Sequence, residues 1–316
     1  MATEETVPAK RIRPNHLVIG FGVAVAVFMA ISGVAPHITH WHDDSPIQRE
    51  VFVGIPDPLM WAFYIVIPVV IIYGAVMFSQ RVKNWERGAP DNRKTTPENA
   101  KRRFGDFRSG VYMQTLLRDP AAGLMHSLIY FSFLILLAVT TILEIDHQVP
   151  TGMKFLHGTT YQAYSAVGDA AGLMLFIGIS WAIVRRYVIR PYRIRIKSKS
   201  DHVLGLTTLL VLAVTGFGTE AWRIANEGTP AFEKWSFIGY PIATVIDGAS
   251  HSTLTHGHEV WWVVHVLSFV VFLMILPVTM MRHMFTSPLN MYLRDRERPK
   301  GAMRPMPNLM ETELEN

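Results

Sequence analysis

Six apolar stretches, each long enough to cross a lipid bilayer, divide this sequence and restrict its fold more than any other feature. A helix needs about 20 residues to span the hydrocarbon layer, because each residue advances it by roughly 1.5 Å. Charged connections separate the stretches, and half of the 316 residues are hydrophobic. The sequence therefore predicts an all-α integral membrane protein with six transmembrane helices, near His16–Ala35, Pro58–Phe78, Gly123–Leu143, Gly168–Val184, Val203–Thr219 and Val260–Met281.

Basic residues are concentrated in alternate connections. The N-terminus, the segments Gln80–Ala122 and Arg185–His202, and the tail from Arg282 hold 26 of the 30 Lys and Arg. Because positively charged loops stay on the cytoplasmic side, we expect a multi-pass protein of the plasma membrane with both termini in the cytoplasm. The sequence pI of 9.4 fits contact with anionic lipid, and nucleic-acid binding is disfavoured.

The chain has no cysteine. It therefore holds no disulfide, no iron–sulfur cluster within its own residues and no covalently attached c-type haem. A redox centre in this chain must be bound non-covalently through nitrogen. No G-x-G-x-x-G or Walker pattern is present, so nucleotide binding has no support.

Two histidines share one face of the last apolar stretch, which we interpret as a single helix over Glu259–Leu293. His265 and His283 are 18 positions apart, which returns them to one face after five turns, roughly 27 Å along the axis. That distance is close to the thickness of the hydrocarbon layer. Imidazoles near both edges of a bilayer are typical of a helix that holds two stacked haems.

Two further histidines match these in depth. His126 stands at the cytoplasmic end of the third stretch, near the expected level of His283, and we predict that the two ligate one haem. His147 follows 21 positions later, within about 60° of the same helix face, and is expected near the level of His265.

Polar residues at the outer ends of the stretches have two interpretations each. The histidines of residues 37–42 are interpreted as part of a solvated loop, with a metal site or a lid over a quinone pocket as the alternative. The run HSTLTHGH at 251–258 is also interpreted as a loop, with a zinc site as the alternative. Glu220 and Arg223 are candidates for proton transfer at a quinone, with an interfacial ion pair as the simpler explanation. The centres of all six predicted stretches lack Asp, Glu, Lys and Arg, which disfavours a proton- or ion-coupled carrier.

The segment Arg81–Pro120 is long, basic and interrupted by prolines. It predicts an extended cytoplasmic connection with one short helix around Pro97–Phe104. We interpret it as a docking surface for a soluble partner.

The most specific pattern is a histidine, an apolar run with a proline, a second histidine 18 positions on, and a short close. Here these are His265, Pro277, His283 and the letters SPLNMYL at 287–293. On these residues, and on DGASH at 247–251, the chain resembles the membrane cytochrome b subunit, called gamma, of respiratory nitrate reductase. It is also similar to the membrane domains of heterodisulfide-reductase-related iron–sulfur proteins of the electron-transfer flavoprotein:menaquinone oxidoreductase type.

The resemblance covers residues 58–293 and implies three segments. Residues 1–57 would hold the cytoplasmic N-terminus, one additional helix and an outer loop. Residues 58–293 would form the cytochrome b domain, a haem-binding bundle with a five-helix core. Residues 294–316 would be a cytoplasmic linker or tail.

The resemblance further implies one or two haems b. His126 and His283 would hold the haem nearer the cytoplasm, and His265 would hold part of a distal haem. The family's second distal ligand falls ten positions after His126, where this chain has Leu136. His147 is the first substitute and His157 the second, and a single haem is the alternative.

The resemblance also implies a quinone site close to the distal haem. Lys154 is the leading candidate donor, because its place between the third and fourth stretches resembles that of a quinol-binding lysine of the family. Glu220 and Arg223 are lesser candidates.

We therefore interpret the chain as the membrane subunit or domain of a quinone oxidoreductase. It would pass electrons between a cytoplasmic iron–sulfur or flavoprotein partner, such as an electron-transfer flavoprotein, and membrane menaquinone or another quinone. The iron–sulfur module would be separate or fused after Asn316, because the tail at 298–316 resembles a linker to a ferredoxin-type domain. The alternatives are a cofactor-free anchor that recruits a soluble reductase through Arg81–Pro120, and a metal transporter that uses the outer histidines.

Overall fold

The structure is a computed structural model that describes residues 13–39, 49, 51–87, 96–114, 116–192 and 200–293. Every regular element within these ranges is helical, as the sequence predicts. The nine α-helices of the described ranges are α1 (Pro14–Thr39), α2 (Asp57–Trp85), α3 (Pro97–Val111), α4 (Pro120–Gln148), α5 (Gly158–Ile183), α6 (Ser200–Asn226), α7 (Gly239–Ile246), α8 (His251–Ile275) and α9 (His283–Leu293).

Six of these helices, α1, α2, α4, α5, α6 and α8, are long and apolar enough to cross a membrane. This confirms the predicted all-α fold with six transmembrane helices. Large apolar side chains such as Phe21 and Phe28 on α1 are mostly exposed, as expected for a surface that faces lipid. Helices α1, α2, α4 and α6 extend beyond the predicted bounds at both ends, whereas α8 begins earlier and ends earlier than predicted. Helix α5 begins at Gly158, ten residues before the stretch that predicted it.

Helix starts follow ordinary capping chemistry. The Asp119 carboxylate accepts a hydrogen bond of 3.2 Å from the amide of Ala122 at the start of α4, and Pro120 follows it at the first helical position. Asp119 also pairs at 3.2 Å with Arg185, which continues α5 as a short π-helical turn. The predicted short helix in the basic connection is confirmed as α3, which extends to Val111.

The last predicted stretch is not one helix. α8 ends at Ile275, a turn and a short 3₁₀ segment at Met280–Arg282 follow, and His283 begins α9. The prediction of a continuous helix over Glu259–Leu293 is therefore wrong. Pro277 explains the break, because its ring clashes with the preceding turn and it has no N–H to continue the hydrogen bonds.

The described helices form two compact units. The smaller unit contains α3 and α9, where the Met291 side chain occupies the space that a Cβ on Gly110 would need. The larger unit contains α1, α2 and α4–α8. We call the end of the larger unit where α4 begins its proximal end, and the end where α4 stops its distal end.

Within the larger unit, α6 packs closely against α8. Gly218 on α6 faces the indole of Trp261 on α8, and Gly257 on α8 faces the indole of Trp222 on α6. A Cβ on either glycine would collide with the opposing ring, so these two reciprocal contacts require glycine. Further contacts join α1 to α2, α4 to α5, α5 to α6, and α2 to α8.

Candidate functional site

His265 on α8 is held by Thr215 on α6. The imidazole Nδ1 lies 2.9 Å from the Thr215 hydroxyl oxygen, and Thr215 itself is buried. The hydroxyl hydrogen is already donated to the Val211 carbonyl at 2.7 Å, one turn earlier on α6. With that hydrogen on Val211, we assign the Thr215 oxygen as the acceptor and Nδ1–H of His265 as the donor, which leaves the lone pair on Nε2.

This arrangement fits an axial haem ligand. A histidine that ligates a metal through one nitrogen usually donates its other ring N–H to a fixed acceptor, which sets its tautomer and orientation. The ring also lies over Gly216, where a Cβ would be 3.5 Å from Cε1 of His265. The chemistry at His265 thus suits iron coordination through Nε2.

A ring contact between Phe133 on α4 and Phe272 on α8, with centroids 5.6 Å apart, fixes the register of these two helices. They run in opposite directions, as the third and sixth of six spans do. His126 lies seven positions before Phe133, and His265 lies seven positions before Phe272. Because each residue advances a helix by 1.5 Å, His126 and His265 are displaced toward opposite ends, about 21 Å apart along the bundle.

The same register gives the level of the other predicted distal ligands. His147 is 14 positions after Phe133, about 10 Å further toward the distal end than His265. Its ring packs against Phe52, with centroids 5.5 Å apart. His157 is exposed at the start of α5. The pairing of His147 with His265 stays a prediction. One haem held by both residues would have to span this difference in level of about 10 Å.

His126 and His283 belong to different units. His126 is partly buried near the start of α4 in the larger unit, and His283 is the first residue of α9 in the smaller unit. Their common haem therefore stays a prediction.

Lys154 is buried at the distal end, where it caps α4. Its ammonium donates to the carbonyl oxygens of Asp146, at 2.8 Å, and His147, at 3.1 Å. These carbonyls belong to the last turn of α4, which has no helical donors of its own for them. Burial lowers the pKa of Lys154, and the Asp146 carboxylate opposes that shift. Two of the three ammonium donors are thus committed to the helix end.

Arg223 belongs to a buried cluster of ions that the sequence does not predict. Its Nη1 lies 2.7 Å from Glu233 and 2.9 Å from Glu227. Glu233 also accepts hydrogen bonds from the Tyr161 hydroxyl at 2.8 Å and from Ser236 at 3.3 Å. Arg223 and Glu233 are 2% and 0% exposed, and the ion pairs of Arg223 are with Glu233 and Glu227 rather than with Glu220, the partner that the sequence suggests.

The pKa values of the two carboxylates of this cluster are shifted in opposite directions. Burial alone would raise the pKa of Glu233, but the Arg223 guanidinium outweighs it and holds that pKa below its ordinary value. Burial raises the pKa of Glu227, and here Arg223 only partly opposes the shift.

Glu220 pairs with a different residue. It lies beside Asp169 of α5, to which it is hydrogen-bonded, and close to Gly239 at the start of α7. Asp169 in turn accepts from the backbone amides of Ile238, at 2.5 Å, and Gly239, at 3.3 Å. Because α5 begins at Gly158, Asp169 lies three turns into this helix, whereas the predicted stretch places it at the helix start.

The histidine run at 251–258 was predicted as a loop and instead forms the first two turns of α8. Ser250 caps this helix by accepting from the Thr253 amide at 3.3 Å, and His251 and His256 are exposed. Within the part of the chain that the structure describes, no group of three or more His, Cys, Asp or Glu could hold a metal ion. The side chains of the histidines at 37–42 lie outside the described residues.

Comparison with known proteins identifies the family. The family model of the nitrate reductase gamma subunit matches residues 119–298, which is more than half of the chain. The chain belongs to the nitrate reductase gamma subunit family. It is therefore a multi-pass membrane protein of a family of cytochrome b type domains, which agrees with the six spans of the structure.

Two curated relatives are much longer than this chain. A protein of Syntrophomonas wolfei subsp. wolfei named "EtfAB:quinone oxidoreductase" is 27% identical over 274 residues, which cover 83% of this chain and 37% of the relative. A Bacillus subtilis protein named "Probable iron-sulfur-binding oxidoreductase FadF" is 25% identical over 186 residues, 58% of this chain and 25% of the relative. No solved structure shows a significant match.

Proposed function

We propose that this chain is the b-type cytochrome domain of a quinone oxidoreductase, and that it carries electrons between a cytoplasmic iron–sulfur or flavoprotein partner and the membrane quinone pool. The observation that carries this proposal is the hydrogen bond from His265 Nδ1 to Thr215, which leaves Nε2 as a ligand for iron. The names of the two relatives, a quinone oxidoreductase and an iron–sulfur-binding oxidoreductase, support it.

His265 would hold a distal haem b, and His126 and His283 would hold a second haem nearer the cytoplasm. When bound, each haem supplies a site that accepts and releases one electron at a time. The protein's part is to fix the imidazoles, to separate the two levels and to keep the path dry. The separation of about 21 Å between His126 and His265 along the bundle supports two haems at different depths.

The proximal end would face the cytoplasm, because the basic connections leave the bundle there. Quinone would then react near the distal end, where Lys154, Glu220 and Arg223 lie. Lys154 remains the leading donor of the sequence analysis, although the structure also gives its ammonium a capping role.

The electron partner would supply iron–sulfur clusters, since the chain contains no cysteine. The chain spans 37% and 25% of its two relatives. The iron–sulfur module would be fused to it or be a separate protein. The basic connection Arg81–Pro120 would attract an acidic surface such as that of an electron-transfer flavoprotein, and salt should weaken this contact.

A reduced-minus-oxidised visible spectrum of the purified protein tests the proposal. We expect a low-spin b-type spectrum, loss of one haem in His265→Ala and no loss in His256→Ala, which changes an exposed histidine on the same helix. A quinone should then reoxidise the reduced protein. A protein without haem would instead favour the cofactor-free anchor.

The partner is tested by gentle purification from the native membrane at low and high salt, followed by assays for iron, acid-labile sulfide and co-purifying chains. We expect iron–sulfur protein at low salt and less of it at high salt. Its absence at low salt, together with rapid reduction by a soluble donor alone, would contradict the proposed partner.

A further inference from the structure

His258 on α8 is a buried histidine that the proposed function does not use. It is 1% exposed and lies seven positions before His265, which places it on the same helix face, about 10 Å nearer the distal end. A polar ring in such a place normally has all its hydrogen bonds satisfied.

One nitrogen of His258 has a partner and the other does not. The ring bonds to the backbone of Val53, whereas Nδ1 is buried without a hydrogen-bond partner among the described residues. We infer that Nε2 donates to the Val53 backbone, which leaves the lone pair on Nδ1.

Nδ1 of His258 lies near Gly54, where the missing side chain leaves two polar nitrogens as the nearest atoms. A Cβ on Gly54 would lie 3.8 Å from His258 Nδ1 and 3.1 Å from Nδ2 of Asn226. Gly54 has φ +68°, so glycine suits this position and adds no side chain to the space. The Asn226 carbonyl oxygen accepts from Thr255 at 3.0 Å, which turns its NH₂ group toward the same space. We call this space the Gly54 notch.

The Gly54 notch offers one acceptor and one donor to a single guest atom. A hydroxyl oxygen satisfies both, because it donates its hydrogen to Nδ1 and accepts from the Asn226 amide. A neutral imidazole at the end of such a bond can also take the proton.

An aromatic cluster lies between the notch and His265. Trp262 shares the face of α8 with His258 and His265, four positions after the first and three before the second. Its ring centroid is 6.1 Å from Phe52 and 6.1 Å from Phe63, and Phe52 directly precedes Val53. Flat apolar surfaces next to a hydroxyl site fit an aromatic alcohol.

We propose that the Gly54 notch binds one oxygen of the quinone and that His258 exchanges the proton of that oxygen. This inference rests on the proposed function. In hydroquinone oxidation both O–H bonds break. One proton would go to His258 Nδ1 and the other to water at the distal end. A b-type haem, when bound, would supply the one-electron acceptor for the two electrons, and quinone would remain. Reduction of quinone is the same step reversed.

Charged groups near His258 set the conditions for this exchange. Within the described chain, Arg49 and Arg223 act on the imidazole through their positive charge. Arg223 is itself paired with Glu227 and Glu233, so its field is partly neutralised. The imidazole must be neutral to accept a proton, so oxidation of a quinol should slow as pH falls.

The test is stopped-flow reduction of the haem by menadiol, a soluble naphthoquinol, across a range of pH. His258→Gln keeps an amide near the Val53 carbonyl but offers no base, and it should slow reduction about 100-fold and flatten the pH profile. Gly54→Ala should raise the KM for menadiol about tenfold by filling the notch. The haem spectrum should stay unchanged in both variants.

Gly158→Ala is the matched control, because Gly158 also has positive φ, +55°, but has no atom near the missing Cβ. If menadiol reduces the haem of Gly54→Ala and of His258→Gln as fast as that of Gly158→Ala, the notch holds only an internal water. The inference is then overturned. A wild-type protein that lacks haem, or whose haem menadiol does not reduce, overturns the proposed function itself, which is a different result.

Discussion

The hydroxyl oxygen of Thr215 on α6 lies 2.9 Å from Nδ1 of His265 on α8. With the Thr215 hydrogen on the Val211 carbonyl, this bond assigns the proton to Nδ1 and leaves Nε2 for a metal, and it joins two spans that are separate in sequence.

Thr215→Val should weaken haem binding at His265. Valine has nearly the shape of threonine but accepts no hydrogen bond, so the imidazole loses its orientation and part of its basicity. We expect about 10- to 100-fold weaker haem retention and a higher midpoint potential for that haem. Redox titration of the purified variant measures both. Thr215→Ser retains the acceptor and should behave like the wild type; equal losses in both variants would contradict the bond's role.

Glu233→Gln should destabilise the protein by about 3–5 kcal/mol, because it leaves the buried Arg223 guanidinium without its closest counter-ion. Thermal unfolding in detergent measures the change. The exposed Asp247→Asn serves as control and should have little effect.

The same variant tests a pH dependence. The pKa of Glu233 lies below its ordinary value, so its stabilisation is present above the ordinary carboxyl pKa and is lost as pH falls through the lowered pKa. Glu227, whose pKa is raised, acts in the opposite direction. Subtracting the Glu233→Gln curve from the wild-type curve should therefore leave a loss of stability on the acid side. A flat difference would refute the assignment.

Lys154→Ala should slow electron transfer between haem and quinone without removing haem, as the place of Lys154 in the sequence predicts. The structure adds a second effect, since the last carbonyls of α4 lose their cap at a cost of about 1–3 kcal/mol. Lys234→Ala removes an exposed cation at the same end and should change neither property. Unchanged quinone kinetics in Lys154→Ala would remove this residue from the quinone site.

His126→Ala and His283→Ala should abolish the same low-spin haem signal, because each removes one axial ligand from one iron. Spectra of the two variants, compared at equal protein concentration, measure this. The exposed His251→Ala is the control. Loss of different haems in the two variants would show that the pairing is wrong.

Reporter fusions test the orientation. Periplasmic phosphatase should be inactive when fused after Arg108, Lys197 or Met306, and active after Asp44, Lys154 or Gly248. The physical reason is the distribution of 26 of the 30 Lys and Arg on one side. Strong activity at Lys197 would refute the topology.

Apolar length was sufficient to predict the six spans, because the bilayer sets that length directly. Helix ends were harder. Ser250 is a standard N-cap residue, yet the polar run after it was interpreted as a loop, since its histidines and threonines hide the start of α8. Pro277 indicates a helix break, but the 18-residue spacing of His265 and His283 favours a single continuous helix. The structure does not contain that helix.

The buried ion cluster could not be predicted from local sequence. Glu233 accepts a hydrogen bond from Tyr161, which is 72 positions away in the sequence. Asp169 accepts one from the Ile238 amide, which is 69 positions away. No helical period or short motif links such residues, so each carboxylate resembles an ordinary surface group until the chain is folded. The burial of His258 could not be predicted for the same reason, because Val53, to whose backbone it bonds, is far away in the sequence and precedes α2.

The reciprocal contacts of Gly218 with Trp261 and of Gly257 with Trp222 hold α6 and α8 together as a closely packed pair. Thr215, His265 and His258 all lie on these two helices, so their spacing depends on the contact between α6 and α8. A bulkier residue at either glycine would separate the helices and displace the proposed haem ligand His265 and the proposed proton acceptor His258 together. Side chains around this pair could then change one of the two proposed centres alone, whereas a change in the helix contact would move both.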